Sequence, residues 1–441
     1  MGQWKRTGGG HWPTLILTVI AFVFFIRCNT SPPDTHHRKV FIQKDGKQYT
    51  IYRNGQPFTV KGASGYTQLA EVREAGGNTI RTWDTVNLGA VLDEAQRNNL
   101  AVIAGLPLPS SDALDYFYKD TVKTAAAYRA FRQVVQRYKD HPALLMWCLG
   151  NEPAFSFKPR YRPFNKTFNR LLDMIHNTDP DHPVTTTMVN FSIWQAMFIK
   201  WKVHHLDLIS FNIFGELSHL SHKLDRYAWL WKGPFLISEW GTYGPWEVNR
   251  TAWGAPIENT STKKAEQYGL LYKQLPVNNP RFLGSLVFYW GQKQEITPTW
   301  FSLFDEKGIP AEAVDVIRSL WTGKQSTSTA PRVQYMLLND KGAADNIMLR
   351  PDSAASALLL MQDSLSQGLS LHWEVWQEDW FSDLRRHPMK IFDTVINNAG
   401  SKLAFKAPLS EGPYRIYVKV SDSIGRYATA NTPFYVVEQE R

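Results

Sequence analysis

Residues 143–153 read ALLMWCLGNEP. An apolar run closes at Gly150, and the chain then presents Asn151 and Glu152 before Pro153. An unbroken apolar strand of this length is buried on both faces, which places it in a parallel sheet covered by helices. A strand of that kind that ends by delivering one carboxylate raises two questions: how many such strands the chain has, and whether Glu152 has a partner.

Seven further segments have the same character: FTVKGA (58–63), NTIRTW (78–83), AVIAGLPL (101–108), PVTTTMV (183–189), LDLISFNIF (206–214), PFLISEW (234–240) and LGSLVFYW (283–290). Amphipathic stretches fall between them, among them TQLAEVREAG, LGAVLDEAQRNN and AAAYRAFRQVVQRYKD, and the last reads AEAVDVIRSLW at 311–321. Eight strand–helix units over about 260 residues predict a (β/α)8 TIM barrel. Ahead of the barrel, Asp45-Gly46 and Asn54-Gly55 stand as hairpin turns between alternating segments.

Composition changes at 322–331, TGKQSTSTAP, a Ser/Thr-rich linker. Alternating segments such as LHWEVWQ and YRIYVKV follow. They predict a small antiparallel sandwich, so the fold class is α/β: a TIM barrel with a C-terminal antiparallel β-sandwich of immunoglobulin-like type. The expected divisions are a leader at 1–31, the barrel with its N-terminal hairpin at 32–322, a linker at 323–331 and the sandwich at 332–441. Trp373 and Trp376 fall on opposite faces of one strand, so at least one of them belongs to the sandwich core.

The leader reads as an export signal. Lys5 and Arg6 make a basic start, and Leu15 to Ile26 form an apolar core of 12 residues, short for a membrane span. Cys28 follows. Its placement is similar to that of the lipidated cysteine in bacterial lipoproteins, although Arg27 stands where such signals carry a small residue. Lipoprotein, secreted protein and uncleaved N-terminal anchor all remain open, and all three put the rest of the chain outside the cytoplasm, with anchoring at a membrane through the N-terminus in two of them.

The chain has 441 residues, 43% hydrophobic and 20% charged, with a net charge of +9 spread along its length. This is globular composition, and no nucleic-acid motif accompanies the charge. The two cysteines, Cys28 and Cys148, are placed too differently to suggest a disulfide, and Cys148 reads as a small buried hydrophobe. His204-His205 and the pair His219, His222 lack carboxylate or cysteine ligands at metal spacing, so neither a metal nor a cofactor is expected. Seventeen tryptophans are an unusual load; the indole suits sugar stacking as well as packing.

In a barrel of this kind the working residues sit at the C-terminal ends of the strands. Glu152 lies just past the fourth strand. PFLISEWG ends the seventh with Glu239, so the two glutamates are expected to face one another across the mouth. Paired carboxylates are what cleavage of a glycosidic bond requires, one as proton donor and one ionised.

Here the pattern resembles retaining glycoside hydrolases of clan A, above all the barrel domain of glycoside hydrolase family 2 and related endo-β-glucanases. NEP after strand four and SEWG after strand seven carry the resemblance. VKGASG…EVREAGGNTIRTW at the barrel's opening and YWGQKQEITPTWFSLFDEKGIPAEA at its close extend it over roughly residues 57–321. The resemblance implies Glu152 as general acid/base and Glu239 as nucleophile, with Asn151 on the sugar 2-hydroxyl, Arg81 holding the nucleophile, and Trp290 as the floor of the cleavage subsite. Clan members often carry a tyrosine at the end of strand six that touches the nucleophile; this chain has Phe214 there, and Tyr243 is the nearest substitute.

The expected function is retaining hydrolysis of a β-linked glycan, with the two carboxyls about 5–5.5 Å apart. Few charged residues accompany the mouth beyond Arg81 and the glutamates, which favours a neutral β-glucan, with an internally cut β-1,3-glucan among the expected substrates. A transglycosylase on the same scaffold, or a glycan-binding surface protein without catalysis, are the alternatives. Arg81 also fits a structural ion pair and Trp290 also fits the core. Trp240, Trp246, Trp253 and Trp300 stand between subsite lining and packing, and Glu247 reads as a loop charge.

Overall fold

A computed structural model of the chain describes residues 38–325, 330–362, 369–378, 389–397 and 401–438. Cys28, with the rest of the leader, lies outside the described residues. Residues 38–441 form one compact unit.

Three short strands open it: β1 (Val40–Asp45), β2 (Gln48–Arg53) and β3 (Gln56–Phe58) form an antiparallel sheet. Asn54 and Gly55 make the second turn with φ of 51° and 73°, the left-handed pair that a two-residue hairpin needs. In the first turn Asp45 still pairs with Gln48, so the loop is Gly46-Lys47, one residue later than the sequence suggests.

Eight parallel strands follow: β4 (Val60–Ser64), β5 (Thr79–Arg81), β6 (Ala101–Leu106), β7 (Leu144–Leu149), β8 (Val184–Val189), β9 (Leu208–Asn212), β10 (Phe235–Trp240) and β11 (Phe282–Phe288). They close in the order β4-β5-β6-β7-β8-β9-β10-β11, with β11 pairing back onto β4. Each matches one of the eight predicted segments. Around them lie helices α1 (Leu69–Glu74), α2 (Leu88–Arg97), α3 (Thr121–Tyr138), α4 (Arg162–Thr178), α5 (Ile193–Lys202), α6 (Leu217–Arg226), α7 (Ser261–Tyr272) and α8 (Glu312–Thr322). Helix α4 shows why they lie there: Phe164, Phe168, Leu171, Leu172 and Ile175 recur at helical spacing and are all buried.

The barrel has two apolar layers. Ile103, Leu145, Cys148, Leu208 and Leu236 fill its interior, and Val40 and Ile51 of the opening sheet join that cluster. Trp147, Leu149 and Val184 pack outward into the helix layer. Within β7, Leu145, Met146 and Cys148 belong to the interior cluster and Leu144, Trp147 and Leu149 to the outer one, and Trp147 donates to Asp179 at 2.7 Å, tying the strand to the end of α4.

The C-terminal strands are β12 (Val333–Leu338), β13 (Met348–Leu349), β14 (Ala354–Met361), β15 (Ser370–Gln377), β16 (Lys390–Asn397), β17 (Lys402–Lys406), β18 (Gly412–Ser421) and β19 (Tyr427–Val436). They form a sheet β12-β14-β17 and a sheet β13-β19-β18-β15-β16, antiparallel apart from the short β13–β19 pairing. Both sheets contribute to one core around Leu338, Leu359, Trp373 and Val418. Trp373 is the core tryptophan, whereas Trp376 is only partly buried and packs on Tyr417.

This sandwich is joined to the barrel by a buried polar network. Lys264 of α7 pairs with Glu258. Glu258 also accepts from Thr297 at 2.7 Å and from Asn431 of β19 at 2.6 Å. Arg415 of β18 donates to Asn431 at 2.7 Å and to the carbonyl of Pro256 at 2.8 Å, and pairs with Glu378. All five network side chains, Glu258, Lys264, Glu378, Arg415 and Asn431, are buried.

Candidate active site

Glu152 and Glu239 line one cleft of roughly 680 Å³. Their strands, β7 and β10, are three positions apart round the barrel. Glu239 is 5% exposed. Its Oε1 accepts from Arg81 Nη1 at 2.5 Å and from the indole of Trp83 at 2.9 Å. Arg81, at the end of β5, is itself buried; burial works against its charge, and the adjoining Glu239 carboxylate more than offsets this, so its pKa rises. The guanidinium also lies 5.2 Å from the Trp83 ring and donates through Nη2 to Asn151 Oδ1 at 2.7 Å.

The segment after β7 is fixed from both sides. Gly150 and Glu152 both take positive φ, 73° and 53°. A non-glycine residue in that region stores strain of about 1–3 kcal/mol and needs support. Thr187 at the end of β8 supplies it by accepting the Glu152 N–H at 2.6 Å, while Ser111 accepts the Ala154 N–H at 2.8 Å.

Asn212 ends β9 and stands opposite Glu239 in the β9–β10 register. Its Nδ2 donates to Glu152 Oε1 at 2.6 Å and lies 3.3 Å from Asn151 Oδ1, while its Oδ1 accepts from Ser238 at 2.7 Å. Glu239, Arg81, Asn151, Asn212 and Glu152 therefore form one hydrogen-bonded series. Glu152 is open to water along the cleft, yet protein crowds its carboxyl. That partial burial raises its pKa; the Asn212 hydrogen bond lowers it, and the like charge of Glu239 raises it further. Just below, burial also pushes the Cys148 thiol up, in keeping with a small inert core residue.

The structure thus brings together Glu152, Glu239, Asn151 and Arg81. Two other expected positions need correction. Trp290 is fully buried: its indole stacks on Trp321 at 5.8 Å and donates to the carbonyl of Gln68. Two residues past Phe288 it has turned from the cleft into the helix layer, and Phe288 and Tyr289 line the cleft in its place. Tyr243 does not touch Glu239; its carbonyl accepts from Trp300, and Trp83 makes the contact with Glu239. Of the four ambiguous tryptophans, Trp240 and Trp300 are core, Trp253 packs against Tyr435 of the sandwich, and Trp246 lines the cleft. Trp83 and Asn212 are the residues that sequence reasoning missed.

Among the described residues one group has metal-ligand character, His372, Glu374 and Asp393, with ligand atoms within 4.8 Å of one another. Lys390 already pairs with both of its carboxylates.

Residues 83–243 match the sequence model of glycosyl hydrolases family 2, TIM barrel domain. A mannan endo-1,4-β-mannosidase of Oryza sativa subsp. japonica is 25% identical over 33% of this chain and 54% of its own length. A β-glucuronidase of Streptococcus agalactiae is 24% identical over 47% of this chain and 37% of its own. Among solved structures, β-glucuronidase 2 of Bacteroides uniformis superposes with a TM-score of 0.50 at 12% identity, over 90% of this chain and 48% of that one. The chain spans about half or less of the length of these relatives. The fold is that of clan A glycoside hydrolases, as the sequence resemblance implied.

Proposed function

We propose that this barrel hydrolyses a neutral β-linked glycan with retention of configuration. The observation that carries the reading is the pairing, in one cleft, of Glu152, whose pKa is raised, with Glu239, whose Oε1 is held by Arg81 and Trp83. Glu239 attacks the anomeric carbon through Oε2 as the bond to the leaving oxygen breaks, and the Glu152 carboxyl gives that oxygen its proton. Glu152, now ionised, takes a proton from water. The oxygen of that water attacks the anomeric carbon and frees Glu239. Asn151 is placed to donate to the sugar 2-hydroxyl through its amide, because Arg81 and Asn212 already occupy its Oδ1.

Charge supports a neutral substrate. Asp84, Glu152, Glu239, Glu247 and Glu295 line the cleft, and the lysine there, Lys293, is paired with Glu295 at 2.5 Å. Arg81 is committed to Glu239. Among the described residues the cleft has no uncommitted cation to receive a uronate, so a β-glucan or β-mannan is favoured over a glucuronide.

The test is product release from β-glucans, β-mannans, β-galactans and aryl glycosides, an aryl β-glucuronide included, beside Glu239→Ala. Release of retained product from a neutral glycan, lost in the variant, is the expected result. Release from the glucuronide alone would overturn the neutral assignment, and an inverted product would overturn the mechanism.

The same reading has the protein exported, on the strength of the apolar run 15–26 and Cys28. Among the described residues no helix is long and apolar enough to cross a membrane. Incorporation of a labelled fatty acid, abolished by Cys28→Ala, tests anchoring at the leader.

A further inference from the structure

Trp246 is 56% exposed, the largest apolar side chain left open on the cleft. It is also firmly built in. A Cβ at Gly244 would run into the indole, so glycine lets the ring lie against the backbone. Phe214 meets it edge-on at 5.8 Å and Phe301 supports it at 6.1 Å. Its neighbour Glu247 holds the loop: the carboxylate accepts from Gly244 N at 2.9 Å and from Gly215 N, in the segment after β9, at 3.0 Å. A side chain at Gly215 would also crowd that carboxylate, standing 3.0 Å from it. An acidic residue that reads as a loop charge is in fact a clamp between two barrel loops.

Trp246 also has a defined place relative to the chemistry. Trp83 touches Glu239; Trp83 meets Phe288 at 5.9 Å, Phe288 meets Phe214 at 5.7 Å, and Phe214 meets Trp246 at 5.8 Å. The exposed indole is thus three ring contacts out from the ring that binds the nucleophile position.

We infer that Trp246 is a stacking platform for a sugar ring next to the one being cleaved, and that Glu247 is the positioning residue that presents it. This rests on the glycosidase reading above. The ligand is an uncharged pyranose unit of the same β-linked chain, presenting its C–H face to the indole, because the carboxylates nearby suit hydroxyl groups and repel acidic sugars. The backing by Phe214 and Phe301 fixes the ring before substrate arrives, so little ordering remains to be done on binding.

The experiment measures kcat/KM for the full chain and its variants on oligosaccharides of increasing length and on an aryl monoglycoside of the same sugar. Trp246→Ala is expected to lose about tenfold more on the oligosaccharides than on the aryl glycoside, and Trp246→Phe to recover most of that difference. Glu247→Ala is expected to raise KM on the oligosaccharides with kcat little changed, and Glu247→Gln, which still accepts from a backbone N–H, to restore it. Equal losses on both substrates, or none on either, would overturn the assignment. Calorimetric titration of the Glu239→Gln protein with oligosaccharide separates this inference from the parent reading. Binding that Trp246→Ala abolishes supports the platform even where no hydrolysis is found, and binding that it leaves intact removes it.

Discussion

The indole N–H of Trp83 and the carboxylate of Glu239 meet at 2.9 Å on the same oxygen that Arg81 holds. One side chain here performs a task that clan relatives often give to a tyrosine after strand six. Phe214, at that position, lines the cleft without a polar atom to offer. Trp83→Phe removes the donor and keeps a ring against Phe288 and Tyr289. A hydrogen bond to a charged group is worth about 1.5–3 kcal/mol, so kcat should fall about 10- to 100-fold. KM should change little. Steady-state kinetics on the best substrate checks it; a fall in affinity with kcat intact would show Trp83 acting on sugar binding instead.

On the proposed mechanism Asn212 tunes the alkaline limit of activity. Its amide donates to Glu152 Oε1 and so favours the ionised carboxylate, lowering a pKa that burial and Glu239 raise. The general acid must be protonated, so activity declines as pH rises through the Glu152 pKa, which lies above the ordinary glutamate range. Asn212→Ala removes the lowering contribution. The alkaline limb of kcat/KM should therefore move to higher pH, and the pH–rate profile shows it directly. A limb that stays in place, or moves to lower pH, contradicts Asn212 as the residue that tunes Glu152.

Much of this site is legible in the sequence because a barrel strand is apolar throughout and its end is marked where polar residues begin. That is how Glu152, Glu239 and Arg81 stand out. Trp83 is hidden: it lies two residues past Arg81, where β5 has already ended. Trp290 lies two residues past Phe288, but the chain has left the strand there, so the alternation no longer says which way a side chain points. Asn212 is hidden for another reason. Its partnership with Glu239 and Glu152 depends on the stagger between neighbouring strands, which no single segment encodes. The same holds for Glu258, Lys264, Glu378, Arg415 and Asn431, far apart in sequence and adjacent only after the sandwich docks.

That docked network makes the C-terminal sheets part of the barrel's stability. Lys264 has Glu258 as its buried counter-ion, and burial already disfavours its charge. Glu258→Ala strands the ammonium in the interface, and breaking a buried pair from one side costs about 3–5 kcal/mol. The urea midpoint should drop accordingly, with the double variant Glu258→Gln, Lys264→Met closer to wild type. Removing residues 326–441 exposes the whole network and should leave a barrel that fails to fold stably. A soluble truncated barrel with an unchanged midpoint would show instead that the sandwich is a detachable spacer.

The leaving group distinguishes the two carboxylates. On the proposed mechanism Glu239 forms the bond to sugar whatever leaves, whereas Glu152 is needed as an acid only when the departing oxygen is a poor leaving group. Glu152→Ala should slow hydrolysis of a natural oligosaccharide by about 10²–10⁴-fold, the usual contribution of general acid–base catalysis. An aryl glycoside with an acidic phenol should still be cleaved in a first turnover, because the phenolate departs without a proton. The second step lacks its base, so product should appear as a burst followed by a slow phase, which rapid-mixing absorbance resolves. Glu239→Ala should give no burst with either substrate. A burst in Glu239→Ala, or equal losses for both leaving groups in Glu152→Ala, would mean that the two residues do not divide the reaction in this way.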